Sequence, residues 1–272
     1  MVQIGEDFRG GWFNKLYAPA NPGGLGLALL FALILFGINQ VLQLAGAAAV
    51  AKAMFGSDPG NLRDFVKASL VAILPASLIT AACAYGLAGL RGGNPRAVLN
   101  MRWPRFTLLG WLMLVAGFMV AMYAVILVIV TVLGIDLSQY TPGPDGQSPE
   151  TGSAGLVKEA MFDIANTPRL FWMVFPSVAL GAPIAEELIF RGQLFSALSQ
   201  TRLGVSGTSM ITSGLWAIMH VSEPWLSVAL IFIMGLAFGW MMYRFGSIWV
   251  TMACHAAWNS IYALVIFGAA GS

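Results

Sequence analysis

The chain has 272 residues, of which 58% are hydrophobic and only 10% charged. Soluble domains carry about 25% charged residues, so this composition, with a mean hydropathy of +0.78, excludes an ordinary soluble domain and defines a polytopic membrane protein. A net charge of +2 is too small to draw a nucleic-acid partner, and the lipid bilayer is the first partner implied.

Residues 1–24 are polar, mixed in charge and rich in Gly and Pro, unlike a signal peptide, so targeting is expected to rest on the first span. About 20 mostly apolar residues cross a bilayer core as a helix. Residues 25–51 supply the first span, and Asn39, Gln40 and Gln43 within it point to a face turned toward other helices. A polar loop from Lys52 to Asp64 leads to a second span near 66–89. The most basic loop follows, with Arg91, Arg96, Arg102 and Arg105, and then a third span near 107–133.

Residues 134–168 form the only long polar connection, read as an extramembrane loop whose second half, Gly155 to Ile164, is expected to form a short surface helix. Apolar blocks resume near 169–190, 207–221, 225–243 and 246–267. The fold class is therefore all-α, a polytopic transmembrane helical bundle of about seven spans. Six or eight are the alternatives, because Pro176 and Pro183 can break or kink the fourth. No internal repeat of the kind that marks many transporters is visible. Cys83 and Cys254 fall in separate apolar segments and read as small buried hydrophobes rather than a disulfide or a zinc knuckle.

The Lys/Arg bias of the loops places the N-terminus in the cytoplasm. Arg9, Lys15, Arg91, Arg96, Arg102, Arg105, Arg191, Arg202 and Arg244 then lie toward that side, against Lys52, Arg63, Lys67, Lys158 and Arg169 outside. An odd number of spans puts the C-terminus outside.

The chemistry concentrates in three apolar segments. In Ala182-Pro-Ile-Ala-Glu-Glu-Leu-Ile-Phe-Arg-Gly192, two carboxylates and a guanidinium sit inside hydrocarbon, where ionisable groups are costly and usually functional. Glu187 and Arg191 are four apart and share a helix face, so they can pair. Glu186 is rotated by about 100° from its neighbour and is free to face a different cavity as a general base or acid. The bland alternative is an ion-pair cluster stitching helices together. His220 follows Trp216 by one turn, and Glu223-Pro224 ends its segment. By itself such a histidine is more often a packed side chain than a base. His255 and Asn259, also four apart, can donate to one developing oxyanion, or simply bond neighbouring helices.

Taken together, a Glu, two His and an Asn supply what a hydrolase needs: a base to activate water, a second polarising group, and oxyanion donors. Equally, Glu186 with His220 and His255 could hold one divalent metal such as Zn2+ with an open position. No His-Glu-x-x-His is present, which excludes the zincin helix.

The order Glu-Glu-x-x-x-Arg (Glu186, Glu187, Arg191), aromatic-x-x-x-His (Trp216, His220), His-x-x-x-Asn (His255, Asn259) resembles the CPBP family, the CAAX prenyl protease and bacteriocin-processing (Abi) intramembrane endopeptidases. The resemblance covers roughly 168–265. It implies a protease core there, joined with the three-helix region and polar loop of 1–167 into one membrane domain. It also implies a multi-pass protein of the cell membrane, a bacterial inner or plasma membrane, with its active site open to the cytoplasm. Its substrate would be a peptide or membrane-associated protein.

Under the resemblance Glu186 and His220 would activate water, His255 and Asn259 would stabilise the oxyanion, and Glu187 and Arg191 would brace the site. The family is commonly labelled metalloprotease, while a metal-free glutamate mechanism is also proposed for it. Trp216 stands where the family more often has Phe. The alternatives are a non-catalytic immunity or scaffold protein of the same fold, and a transporter using the same ionisable groups as a proton or cation path.

Overall fold

The computed structural model describes residues 17–18, 20–56, 61–136 and 152–270. Most of the polar N-terminal stretch and the first half of the 134–168 connection lie outside these ranges. Among the described residues there is no strand, and the chain runs through helices α1 (Gly24–Phe55), α2 (Leu62–Leu90), a short α3 (Pro95–Val98), α4 (Leu108–Leu133), α5 (Gly152–Ala165), α6 (Pro168–Leu198), α7 (Gly204–Ile218), α8 (Trp225–Phe245) and α9 (Ile248–Ala270). Five of them, α1, α2, α4, α6 and α8, are long and apolar enough to cross a membrane. The protein is an all-α polytopic bundle. α7 and α9 occupy the remaining two apolar blocks of the sequence. At about 1.5 Å per residue, the 15-residue α7 falls short of a full bilayer core.

α6 is the central helix. Over half of its most apolar stretch is buried (56%), against 22% to 39% for the other four candidate spans. It packs on α1, α2, α7 and α9. The sequence allowed a break or kink at Pro176 or Pro183, yet the helix continues through both. It accommodates them with a π-turn at Ser177–Gly181, and a second π-turn follows at Leu188–Leu194. Because α6 extends to Leu198, Glu186 lies well inside the helix rather than near its end. The short α7 then returns antiparallel, so Trp216, near its far end, draws level with Glu186.

Small residues let these helices approach closely, the usual device where lipid removes the hydrophobic drive between helices. On α2 a stripe at every fourth position, Ala68, Ala72, Ala76, Thr80, Ala84 and Ala88, is fully buried. Gly181 of α6 lies so close to the α2 backbone that an added Cβ would sit 2.8 Å from Leu74 Cα. Gly235 and Gly239 of α8 face Ser213 and Ser209 of α7 in the same way. Asn39 on α1 is buried and accepts from Thr80 Oγ1 at 3.2 Å, as its amide predicted, whereas Gln40 is exposed. Both cysteines are free thiols.

The two ends of the bundle differ. At one, Arg63 makes a bidentate contact with Asp163 of α5 (2.7 and 2.8 Å), and Lys67 reaches Asp64 at 2.7 Å. The expected 155–164 helix is present as α5, but its inner face, with Met161 and Ile164, packs into a cluster with Leu170, Phe171 and Val174 rather than lying on a surface. At the other end, the basic loop after α2 clamps α6 to α9. Asn100 donates to Ser196 Oγ at 2.6 Å, and its carbonyl accepts from Ile248 N at 2.9 Å. Ser247 Oγ donates to Arg102 O at 2.6 Å. Arg91 is buried there with its Nη1 2.7 Å from Gln193 Oε1. Asn100 adopts a left-handed conformation, φ 54°, which Asn tolerates better than most residues. This clamp fixes where α9 starts, and hence the height of His255.

Candidate active site

Glu186 and Glu187 have opposite environments on one turn of α6. Glu187 is wholly buried and pairs with the equally buried Arg191, Nη1 to Oε1 3.1 Å. The guanidinium lies 4.6 Å over the Trp216 ring and 5.2 Å over that of Phe238, so two aromatic faces stand in for the water that it lacks. Glu186 keeps 19% of its side chain accessible. Its Oε2 accepts a 2.6 Å hydrogen bond from the Trp216 indole N–H.

α9 brings its histidine between the two carboxylates. His255 Nδ1 is 3.3 Å from Glu187 Oε1, and Nε2 is 4.0 Å from Glu186 Oε2. An Arg-paired carboxylate only accepts, so Nδ1 carries the proton of that bond and Nε2 faces Glu186. Trp216 and Phe238 flank the imidazole as well, with ring centroids 5.2 and 5.6 Å away. His220 lies just past the end of α7, its Nδ1 2.9 Å from the Trp216 carbonyl. A carbonyl cannot donate, so Nδ1–H is the donor and Nε2 is the open nitrogen.

Asn259, one turn beyond His255, donates Nδ2–H to Val178 O at 3.0 Å. The sequence explains why that carbonyl is available. The Ala182 N–H bonds to Ser177 O in the π-turn, and Pro183, the next donor position, has no N–H. The carboxamide retains a second N–H.

Glu186, Glu187, Arg191 and His255 thus meet in one cluster. His220 joins it across one aromatic ring, and Asn259 lines the same face of α9 a turn away. The resemblance implies that Glu186 and His220 activate water together, whereas the side-chain contacts of Glu186 are to Trp216 and His255. It also passed over Phe238, which only the α7–α8 packing brings beneath Arg191. Among the described residues no three His, Cys, Asp or Glu side chains form a group that could hold a metal ion. In this arrangement Glu186, His220 and His255 therefore do not fit as a ligand set.

A helical membrane bundle with a buried Glu–Arg pair, a second carboxylate, one histidine within a helix and another just past a helix end defines the class. Residues 168–261, which hold every one of these groups, match the Rce1-like family, described as type II CAAX prenyl endopeptidase Rce1-like. That is the relationship read from the three motifs. Over 110 residues the chain is 31% identical to the uncharacterized protein YyaK of Bacillus subtilis (strain 168), a match covering 37% of this chain and 36% of that protein. The chain thus spans about a third of the length of the curated relative it matches. No solved structure matches the chain.

Proposed function

We propose that this protein is an intramembrane endopeptidase that hydrolyses a peptide bond of a CAAX-type or other membrane-associated substrate, with Glu186 as the base. The observation that carries this is the contrast between the two neighbouring carboxylates. Glu187 is sealed and neutralised by Arg191, while Glu186 is accessible and beside His255.

In the proposed reaction Glu186 takes a proton from water, and the hydroxide adds to the scissile carbonyl carbon. His220, its Nε2 directed away from the Trp216 carbonyl, polarises the same water. The tetrahedral oxyanion receives hydrogen bonds from the second N–H of Asn259 and from His255 acting as an imidazolium, whose Nε2–H donates while Nδ1–H stays on Glu187, a role for preorganised donors in a dry site. As the C–N bond breaks, Glu186 returns its proton to the amine that leaves. Glu187 and Arg191 do not touch the reacting atoms. They hold the His255 ring at the required angle.

The basic end of the bundle, with Arg91, Arg96, Arg102, Arg105, Arg202 and Arg244, is assigned to the cytoplasm by the positive-inside bias. The site is proposed to open to that side of a cell membrane. The test is cleavage of an internally quenched farnesylated CAAX peptide, and of its unprenylated counterpart, by purified protein in detergent micelles. Cleavage of either that is lost in Glu186→Ala supports the assignment. Cleavage of neither by the wild type contradicts it.

A further inference from the structure

The aromatic residue one turn before His220 is a tryptophan, Trp216, and its chemistry differs from that of a phenylalanine. An indole keeps a flat apolar face and adds one N–H donor. That donor is used. Trp216 Nε1 lies 2.6 Å from Glu186 Oε2, so the indole N–H donates to that carboxyl oxygen.

The ring that donates cannot pivot. Trp216 is 1% exposed. Arg191 lies 4.6 Å over its face, and Phe238 and His255 pack at 5.8 and 5.2 Å. Its backbone carbonyl accepts from His220. One residue thus touches Glu186, Arg191, His220 and His255. The last torsion of a glutamate side chain is soft and roughly two-fold, so a carboxylate with no fixed partner samples many orientations. A bond to one oxygen removes that freedom and settles which oxygen remains for water.

We propose that Trp216 is a positioning residue of the hydrolytic step: its indole N–H pins Oε2 of Glu186, so that Oε1 is the oxygen that takes the proton from water. This rests on the hydrolase reading of Glu186. Misplacing a reacting group by about 1 Å can cost about 100-fold in rate, so a fixed donor at this point acts on turnover rather than on binding.

The experiment has two arms. In the first, the indole N–H groups of the nine tryptophans are labelled with 15N and observed by NMR in micelles. Trp216→Phe identifies the Trp216 signal, which is expected downfield and is expected to move in Glu186→Gln. In the second, Trp216→Phe, which keeps the stacking and removes only the donor, is assayed on the quenched farnesylated peptide. The expected result is kcat lowered at least about tenfold with KM changed by less than about twofold, and an unfolding midpoint close to wild type. A Trp216 signal that ignores Glu186→Gln in folded protein overturns the hydrogen bond. Wild-type kcat in Trp216→Phe overturns its role while leaving Glu186 as the base. Full activity in Glu186→Ala removes the reading of Glu186 as the base and this inference together, and the first arm still reports whether the bond exists.

Discussion

His255 meets Glu187 at 3.3 Å across 68 residues of chain, and that contact joins α9 to the centre of α6. The same Glu187 oxygen receives Arg191, so a single buried carboxylate orients both a cation and an imidazole. The arrangement gives adjacent carboxylates opposite surroundings, Glu187 sealed in an ion pair and Glu186 accessible.

The ion pair should be necessary only as a pair. Arg191→Met leaves Glu187 buried without its cation, and removing one partner of such a pair costs about 3–5 kcal/mol. Adding Glu187→Gln to that variant should recover most of the loss. Unfolding midpoints of the two single variants and the double variant check this. Equal midpoints in all of them would show that the pair contributes nothing.

The surface cluster at the other end should matter far less. Arg63 and Asp163 are 43% and 32% exposed, so water and salt screen their attraction. Asp163→Asn is expected to cost less than about 1 kcal/mol. A midpoint loss comparable with that of Arg191→Met would contradict the contrast drawn between the two sites.

Close approach of α7 and α8 depends on having no side chain at Gly235. A Cβ there would lie 2.7 Å from Ser213 Cβ. Gly235→Ala should destabilise by about 1–3 kcal/mol, the usual cost of overpacking. Ser213→Gly in the same chain should recover only part of the midpoint, because it removes the Cβ and Oγ that are struck but leaves Cα 3.0 Å away and adds a mid-helix glycine.

Asn259 is expected to show two losses. Asn259→Ala withdraws the donor from Val178 O, which costs about 1 kcal/mol of stability. Under the proposed mechanism it also removes an oxyanion donor, and kcat should fall about 100-fold or more. A stability loss with unchanged kcat would assign Asn259 to helix packing alone.

Much of this was legible in the sequence because it follows from composition and simple spacing. Hydropathy located every long helix, and the four-residue step from Glu187 to Arg191 put both on one face. What was hidden depends on irregular backbone and on contacts between helices. The fourth span was placed at 169–190, so Glu186 read as late in its helix. α6 runs on to Leu198 because π-turns absorb what Pro176 and Pro183 disrupt. The Asn259–Val178 bond needs the π-turn and the missing N–H of Pro183 together, and no pattern of side chains announces that. Trp216 stands in plain view one turn before His220. A hydropathy reading treats Trp and Phe as near equivalents, and only the indole donor distinguishes them. Charge counts, likewise, could not foretell that Arg191 would rest on Phe238.

Glu186, not Glu187, is the proposed base. The measurement is the turnover of the quenched farnesylated peptide by Glu186→Ala beside wild type, with unfolding midpoints recorded for both. Loss of a positioned general base removes about 100- to 10,000-fold of rate. The prediction is a fall of that size with a stability loss of no more than about 1–3 kcal/mol, the cost of leaving the Trp216 N–H without its acceptor, since Glu186 is accessible and not part of the sealed pair. Wild-type turnover in Glu186→Ala would contradict the account.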